Sequence, residues 1–581
     1  MTQASRRTAV LMHAGRRWFG IGLAVWLLSS LTVLGLVAGA AAPLLRAARN
    51  EVTAVGSRRS PPTVNTADDA AIAHTSGNPF GINTFLYQEV EEEKIRRSLA
   101  AIRDAGFGYI REQVAWQEFE RGQKGGYWDE RWQRPTWENL DRLVDLAREY
   151  GLEMIARVDY PPDWAQQPGT QWHASPPTRF EDYGDFVYTL AQRYKGRIKY
   201  YQVWNEPNLT IEWGLRPVDP AEYVRLLRVA YSRIKEADPA AVVIAAALAP
   251  TIEKGPQNLS DLEFLRRMYE AGARDYFDIA SVNPYGLRSG PDDRSYAADD
   301  TNFSRPIQAR EIMVQYGDAA KPIWASESGW CALPPDFPLL PVYGRTTRAQ
   351  QAEYTGRAYE RVLREWPWMG VVVLWHFRMV DNRLASQQAY YFGVLSDDFA
   401  PYEVYDRLGD LSAAPPVLYP GFRQEDSRAI VYAGTWATAA DERASLHSYM
   451  FGKGAGTTAS ARFWGSDLDL VARSGPSGGQ LVVAIDGSSA LANAVARTDE
   501  GLAVLDLKAA GETWQARLPL ARELSVGVHT VDIRLVSAEG TVSLDGFVVE
   551  AREAGSPMPL LGGLALGLAT FAVWAKRQPK R

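Results

Sequence analysis

Two glutamates stand at the ends of short apolar runs. Glu206 follows Tyr200-Tyr201-Gln202-Val203-Trp204 and Asn205, and Glu327 follows Pro322-Ile323-Trp324-Ala325 and Ser326. Each sits among small or hydrogen-bonding neighbours. Two carboxyl groups facing each other across an anomeric carbon are what cleavage of a glycosidic bond needs. One must carry a proton for the departing oxygen, and the other must stay ionised to attack or to stabilise positive charge. An acid standing alone at a strand end reads equally well as a solvated loop residue, so the elements around the pair decide its weight.

Those elements begin at Asn78, where short apolar runs alternate with amphipathic, helix-length segments. The pattern predicts βα units on a parallel sheet. Eight candidate strands can be read: Phe80-Gly81-Ile82-Asn83, Tyr109-Ile110-Arg111, Met154-Ile155-Ala156, Tyr200 to Trp204, Ala241 to Ala245, Phe277 to Val282, Pro322 to Ala325, and Val371 to Trp375. Thr136 reads as the N-cap of a helix that places Leu140, Leu143, Val144 and Ala147 on one face and ends before Gly151. Count and length predict an α/β fold, a (β/α)8 TIM barrel over residues 77–414, in which side chains at C-terminal strand ends share one mouth. A doubly wound open sheet is the alternative, weakened because no glycine-rich phosphate loop follows the first strand. From Pro415 the texture changes to strand-like alternation between turn residues, as in Leu481 to Ile485 before Asp486-Gly487, Val528 to Ile533, and Val542 to Phe547 around Asp545-Gly546. Residues 415–555 therefore read as an all-β sandwich.

Trp204-Asn205-Glu206-Pro207 resembles the acid/base motif on the fourth strand of the clan A glycoside hydrolases. Trp324-Ala325-Ser326-Glu327-Ser328-Gly329-Trp330 resembles the nucleophile motif of the seventh strand. The second glutamate falling three apparent strands after the first makes the likeness far more specific than either motif alone. It covers residues from about 78 to 412. The resemblance implies a retaining mechanism with Glu206 as acid/base, Glu327 as nucleophile and Asn205 on the sugar 2-hydroxyl. Arg111 would orient the nucleophile and Tyr285 would donate a hydrogen bond to it. Asn283 stands where the family often has a histidine. Trp375 would lie beneath the sugar at the cleavage point. Trp116, Trp164 and His376 are further groove candidates. Phe80-Gly81-Ile82-Asn83 and Asp159-Tyr160-Pro161-Pro162-Asp163-Trp164 make family 39 and the PslG-like enzymes the nearer likeness. The sandwich is similar to galactose-binding-like carbohydrate-binding modules at Tyr432 to Trp436, Phe463-Trp464-Gly465 and the two Asp-Gly pairs, where a spacer or lid role is the alternative.

The chain of 581 residues carries a formal net charge of −6, and no basic cluster marks its middle, so a nucleic-acid partner is not expected. The implied partner is a polysaccharide or oligosaccharide. No metal or organic cofactor is implied. The 19 Trp and 27 Tyr suit both large cores and sugar grooves. The single cysteine, Cys331, excludes an intrachain disulfide and reads as a partly buried free thiol. Residues 1–17 carry Arg6, Arg7, Arg16 and Arg17 ahead of an uncharged apolar run at 18–45, long enough to span a bilayer. Ala38-Gly39-Ala40 offers the competing reading of a cleaved signal peptide. Residues 46–76 read as a linker. A second apolar run at 557–575 precedes the basic tail 576–581. Both runs predict transmembrane anchors, the second alternatively a C-terminal sorting signal that is later removed, and they place the catalytic domain outside the cytoplasm, at the cell surface. The competing functions are a transglycosidase of the envelope and a catalytically silent carbohydrate-binding scaffold.

Overall fold

The computed structural model describes residues 64–170 and 172–552. The apolar runs 18–45 and 557–575 lie outside these residues. Among the described residues no helix is long and apolar enough to cross a membrane.

Eight parallel strands alternate with eight helices. The strands are β1 (Phe80–Asn83), β2 (Tyr109–Ala115), β3 (Glu153–Asp159), β4 (Tyr200–Val203), β5 (Val242–Ala245), β6 (Ala280–Val282), β7 (Ile323–Ser328) and β8 (Met369–Leu374). The helices are α1 (Glu92–Asp104), α2 (Glu138–Glu149), α3 (Phe180–Arg193), α4 (Pro220–Ala237), α5 (Asp261–Glu270), α6 (Pro306–Gln315), α7 (Arg348–Glu365) and α8 (Glu403–Ala413). Strand order runs β5-β4-β3-β2-β1-β8-β7-β6. Parallel bridges Ile244–Ile279 and Leu248–Val282 join the two edges and close the barrel. The open-sheet alternative is thereby excluded. Each of the eight strands read from the sequence contains or overlaps an observed one.

Residues two apart on a strand face the same side. At the floor of the barrel the inward positions are filled by Tyr109, Ile155, Tyr200, Ile244, Ile279, Trp324, Val371 and Val373. The rings of Tyr200 and Trp324 lie 4.8 Å apart, and those of Tyr109 and Trp324 5.4 Å apart. Gly370 makes room for this plug, since a Cβ there would stand 2.1 Å from Trp324 Nε1. The outer wall is amphipathic helix. On α2 the buried positions include Leu140, Leu143, Val144 and Ala147, the face predicted above. Thr136 is not its cap. The N-cap is Trp137, and the Thr136 hydroxyl donates instead to Phe119 O at 2.7 Å, because the loop from β2 folds back beside it.

After α8 the chain builds a sandwich of antiparallel strands. One sheet runs β11 (Trp436–Ala440), β12 (Ser448–Lys453), β20 (Thr541–Glu550), β14 (Asp467–Ser474) and β18 (Thr513–Ala521), with β9 (Gly421–Gln424) also on β20. The other runs β10 (Ile430–Ala433), β13 (Thr458–Gly465), β19 (Gly527–Leu535), β15 (Gln480–Ile485), β17 (Ala503–Asp506) and β16 (Ala496–Arg497). Leu468, Leu470, Val483, Ile485, Val531, Ile533, Leu544 and Phe547 are among its core residues. Asp486-Gly487 is a turn as expected, with φ of +49° and +71°. Asp545-Gly546 is not. It lies inside β20 at a register shift opposite β14, where the Asp545 carboxylate accepts the Ser445 amide through both oxygens at 3.0 Å. A buried carboxylate with its own donor replaces the turn that composition alone indicates.

The last part of the expected linker 46–76 is docked. Thr66 O accepts from Arg310 Nε at 2.9 Å and His74 O from Trp324 Nε1 at 3.0 Å. Ala71 packs on Phe422, Val471 and Val548 of the sandwich. The chain thus enters across the barrel floor, in contact with the sandwich.

Candidate active site

Two residues above the aromatic plug, the same strands turn polar. Arg111 on β2 is 2% exposed and stands at the centre of a network. Its Nη1 donates to Glu327 Oε1 at 3.0 Å and to Asn83 Oδ1 at 2.7 Å. Its Nη2 donates to Asn205 Oδ1 at 3.0 Å, and its Nε to Gln202 Oε1 at 2.7 Å. One guanidinium therefore ties β1, β2, β4 and β7 together. Gln202 extends the network to Ser326 Oγ at 2.8 Å, and Asn83 Nδ2 donates to Ser326 O at 2.9 Å. Glu327 is 6% exposed. Its second oxygen accepts the Tyr285 hydroxyl at 2.8 Å. A carboxylate with one charged and one neutral donor is geometrically locked.

Glu206 lies across the mouth. Its Oε1 accepts from Asn283 Nδ2 at 2.6 Å. Asn283 is 2% exposed and its Oδ1 has no hydrogen-bond partner. Trp204 and Glu206 adopt φ of +75° and +42°, a conformation that costs a non-glycine residue about 1–3 kcal/mol. Backbone bonds from Trp204 N to Val158 O at 3.0 Å and from Glu206 N to Ala247 O at 2.9 Å hold it there. Burial, then the negative charges of Glu327 and Glu212, push the Glu206 carboxyl up to about 8.

Asn205, Arg111, Asn283, Tyr285, Glu206 and Glu327 thus converge as expected. Trp375 follows β8 and donates its amide to Ser328 O at 2.9 Å. Its half-buried ring clusters with Tyr285 and Phe392 at the mouth. Trp116 is a correction. It is 0% exposed, donates Nε1 to Glu120 Oε2 at 2.7 Å and stacks on Phe186, so it is core beneath the rim and touches no sugar. Trp164 is half-buried against it, with Nε1 on Glu120 O at 2.9 Å. His376 is likewise fully buried. Its Nε2 lies 3.1 Å from Ala389 O, and burial pushes its imidazole down to about 4. Cys331 is buried, and burial pushes its thiol up to about 12.

The sequence reading missed several groups. Asn83, Gln202 and Ser326 are the polar scaffold just described. Arg157 and Asp159 on β3 form a buried pair at 2.8 Å, with Gln113 Nε2 on the other Asp159 oxygen at 2.7 Å. Glu212 stands on the loop after β4. Its Oε2 is buried without a partner, and burial pushes its carboxyl up to about 7. Tyr343, on the loop after β7, feels the charges of both Glu206 and Glu327. The available signal was period two: Arg111 and Gln113 on β2, and Arg157 and Asp159 on β3, are polar residues two apart and so share one face of each strand. Among the described residues no group of three or more His, Cys, Asp or Glu is arranged to hold a metal ion.

Residues 68–254 match a family model described as Cellulase (glycosyl hydrolase family 5). No curated protein matches the chain. Among solved structures it is similar to a family 39 glycoside hydrolase from Bacteroides cellulosilyticus WH2, at 18% identity and a TM-score of 0.45, over 82% of this chain and 83% of that one. It is also similar to a monomeric β-xylosidase from Caulobacter crescentus CB15, at 14% identity and a TM-score of 0.43, over 81% and 98%. A GH5_18 protein from Streptomyces cattleya, in complex with GlcNAc, matches at 17% identity and a TM-score of 0.43, over 60% and 83%. Likeness at this level carries no argument about what is cut. The family-model match spans β1 to β5, including Arg111 and Glu206, and the barrel continues to a second glutamate, Glu327, near the end of β7. Residues 68–254 thus match a glycosyl hydrolase family, and the protein is a glycosidase of the retaining type.

Proposed function

We propose that the enzyme cleaves equatorial, β-type linkages of an extracytoplasmic polysaccharide by double displacement, with Glu327 as nucleophile and Glu206 as acid/base. The carrying observation is the Arg111 network. One buried guanidinium holds Glu327 at 3.0 Å and, through Asn205 at 3.0 Å, the residue next to Glu206. The two carboxyls therefore belong to one rigid assembly, as a shared anomeric carbon requires.

In the first step Glu327 attacks the anomeric carbon while Glu206 gives its proton to the leaving oxygen. Burial and the neighbouring carboxylates favour the protonated form of Glu206 at neutral pH, which suits a general acid. Once Glu327 is esterified its charge is gone, and Glu206 more readily takes a proton from water in the second step. Asn283 donates to Glu206 where the family often has histidine, so the partner does not titrate. The Asn205 amide nitrogen is free to meet the sugar 2-hydroxyl, and Trp375 offers a ring at the mouth.

The reading extends to location. The two uncharged apolar runs flank the folded body, and its ends lie together: Arg517 contacts Asp69 and Glu550. The test is sugar release from a panel of envelope and plant polysaccharides, with Glu327→Ala as control, and proton NMR of the first-formed anomer. Release that survives in the variant, or an inverted first product, sinks the assignment. Retention in membranes after alkaline carbonate washing checks the location separately.

A further inference from the structure

We propose that the glycan is cut from an aliphatic carrier, and that the loop after β7 is the apolar seat for this lipid on the leaving side of the bond. This rests on the glycosidase reading and names its substrate as a lipid-linked form of the polysaccharide. From Phe337 to Gly344 the chain carries no charged side chain. Leu340 is 86% exposed, Leu339 62%, Val342 60% and Tyr343 40%. Leaving so many adjacent apolar side chains in water is costly, and the loop is not free to fold them away. The buried Gln388 accepts from Val342 N at 3.0 Å and donates to Leu340 O at 2.6 Å. Cys331 O closes the base of the loop by accepting from Thr346 N at 2.9 Å. The tip is therefore held out by bonds to its own backbone. Among the described residues of the barrel, every large apolar side chain that stands exposed lies on a loop at the mouth end, and none on a helix or at the floor.

Its position selects the occupant. The Tyr343 ring lies 5.6 Å from that of Phe392, and Phe392 lies 5.6 Å from Tyr285, whose hydroxyl holds Glu327. The apolar seat is thus continuous with the catalytic mouth. It lies on the acid's side of that mouth. Gly344 sits directly against Leu287 O, where a Cβ would stand 2.0 Å away, and Leu287 shares a loop with Asn283, the donor to Glu206. In keeping with this, burial and then the charge of Glu206, ahead of that of Glu327, raise the Tyr343 hydroxyl. The acid must reach the leaving oxygen, so the group beyond that oxygen meets this loop. Leucine, valine and proline offer neither a flat ring for a pyranose nor a hydrogen bond for its hydroxyls, so a further sugar gains little here. A protein seated on the tip would stopper the mouth. An alkyl or prenyl chain meets both conditions, because packing it on Leu339, Leu340 and Val342 removes apolar surface from water on both partners.

The test follows hydrolysis of methyl, butyl, hexyl and octyl β-glycosides of glucose, xylose, mannose and galactose by the full-length chain held in amphipol. In the wild type kcat/KM should rise by roughly twofold per methylene, as expected for a methylene about half buried, with the change carried by KM. In L339S/L340S/V342S that slope should vanish. The same variant should hydrolyse β-glycosyl fluorides, which have no organic leaving group, at the wild-type rate. Should the triple variant unfold, Leu340→Ser alone serves, with a slope reduced by roughly half. A flat series in the wild type, or an equal slope in the variant, overturns the proposal. So does a wild-type dimer that the variant loses, which would assign the seat to a second copy. Flotation with glycan-free phosphatidylcholine vesicles that the variant loses would assign it to a membrane surface and overturns the proposal as well. Calorimetry of Glu327→Ala with the same alkyl series reads binding without turnover. If the wild type cuts no glycoside and no fluoride, the catalytic reading fails, while the calorimetric slope still decides this one.

Discussion

The two ends of the barrel are made by the same strands, one step apart. On β2, Tyr109 points into the floor and Arg111 into the mouth. On β4 the pair is Tyr200 and Gln202, and on β7 it is Trp324 and Ser326. Two residues along a strand, about 6.6 Å, separate a dry aromatic plug from a cross-linked polar network. The floor stabilises by burying rings and β-branched chains. The mouth stores polar groups whose partners are each other, and leaves unsatisfied Glu212 Oε2 and Asn283 Oδ1. Stability and chemistry are therefore separable by height on one set of strands, and substitutions at the two ends should have opposite signatures.

The largest effect belongs to the mouth. Glu327→Ala should lower kcat by about 10⁵-fold or more, of the order seen when a covalent nucleophile is removed, with thermal unfolding little changed. A variant that unfolds as it loses activity would erase the distinction. Glu206→Gln should lower kcat/KM by about 10²–10⁴-fold on alkyl or sugar leaving groups. It should cost much less on dinitrophenyl glycosides, whose leaving group needs no proton. In the wild type, activity should fall as pH rises through about 8, where the Glu206 carboxyl loses its proton.

At the floor, Trp324→Ala should cost about 3–5 kcal/mol of stability, read by chemical denaturation. The protein that remains folded should keep its kcat. A large fall in kcat at full folding would show that plug and network are not separable.

A subtler effect links the two ends. The raised Glu206 carboxyl means the folded protein binds a proton that the unfolded chain has released between pH about 4.5 and about 8. Its contribution to stability is therefore present at low pH and is lost as pH rises across that window. Glu206→Gln should raise the melting temperature relative to wild type at pH 8 and leave it nearly unchanged at pH 4. The smallest effect is expected of Asn283→Ala. It should reduce kcat by about tenfold or less and move the basic limb of the pH profile upward, since a donor to the Glu206 carboxylate is lost; an unmoved limb would dismiss Asn283 as a partner of the acid.

Much of this was legible in the linear chain because it is periodic or local. Eight apolar runs separated by amphipathic helices point to βα units on a parallel sheet, since each strand must be covered by a helix; the closing bridges Ile244–Ile279 and Leu248–Val282 decided barrel over open sheet. The end of a strand is also a local feature, so Glu206 and Glu327 stood out as candidates, while their roles and those of Arg111 and Tyr285 came from the resemblance of the surrounding motifs. The texture change at Pro415 is local too, and it correctly announced a β domain. What only the tertiary structure decided concerns side chains that meet across strands. The depth that buries Trp116 and His376, the Arg111 fork joining four strands, and the Asp545 bond to Ser445 that replaces a turn come from distant stretches of chain. Nothing in their own neighbourhoods encodes those meetings, because burial and pairing are properties of the closed barrel and its packed partner, not of any short segment.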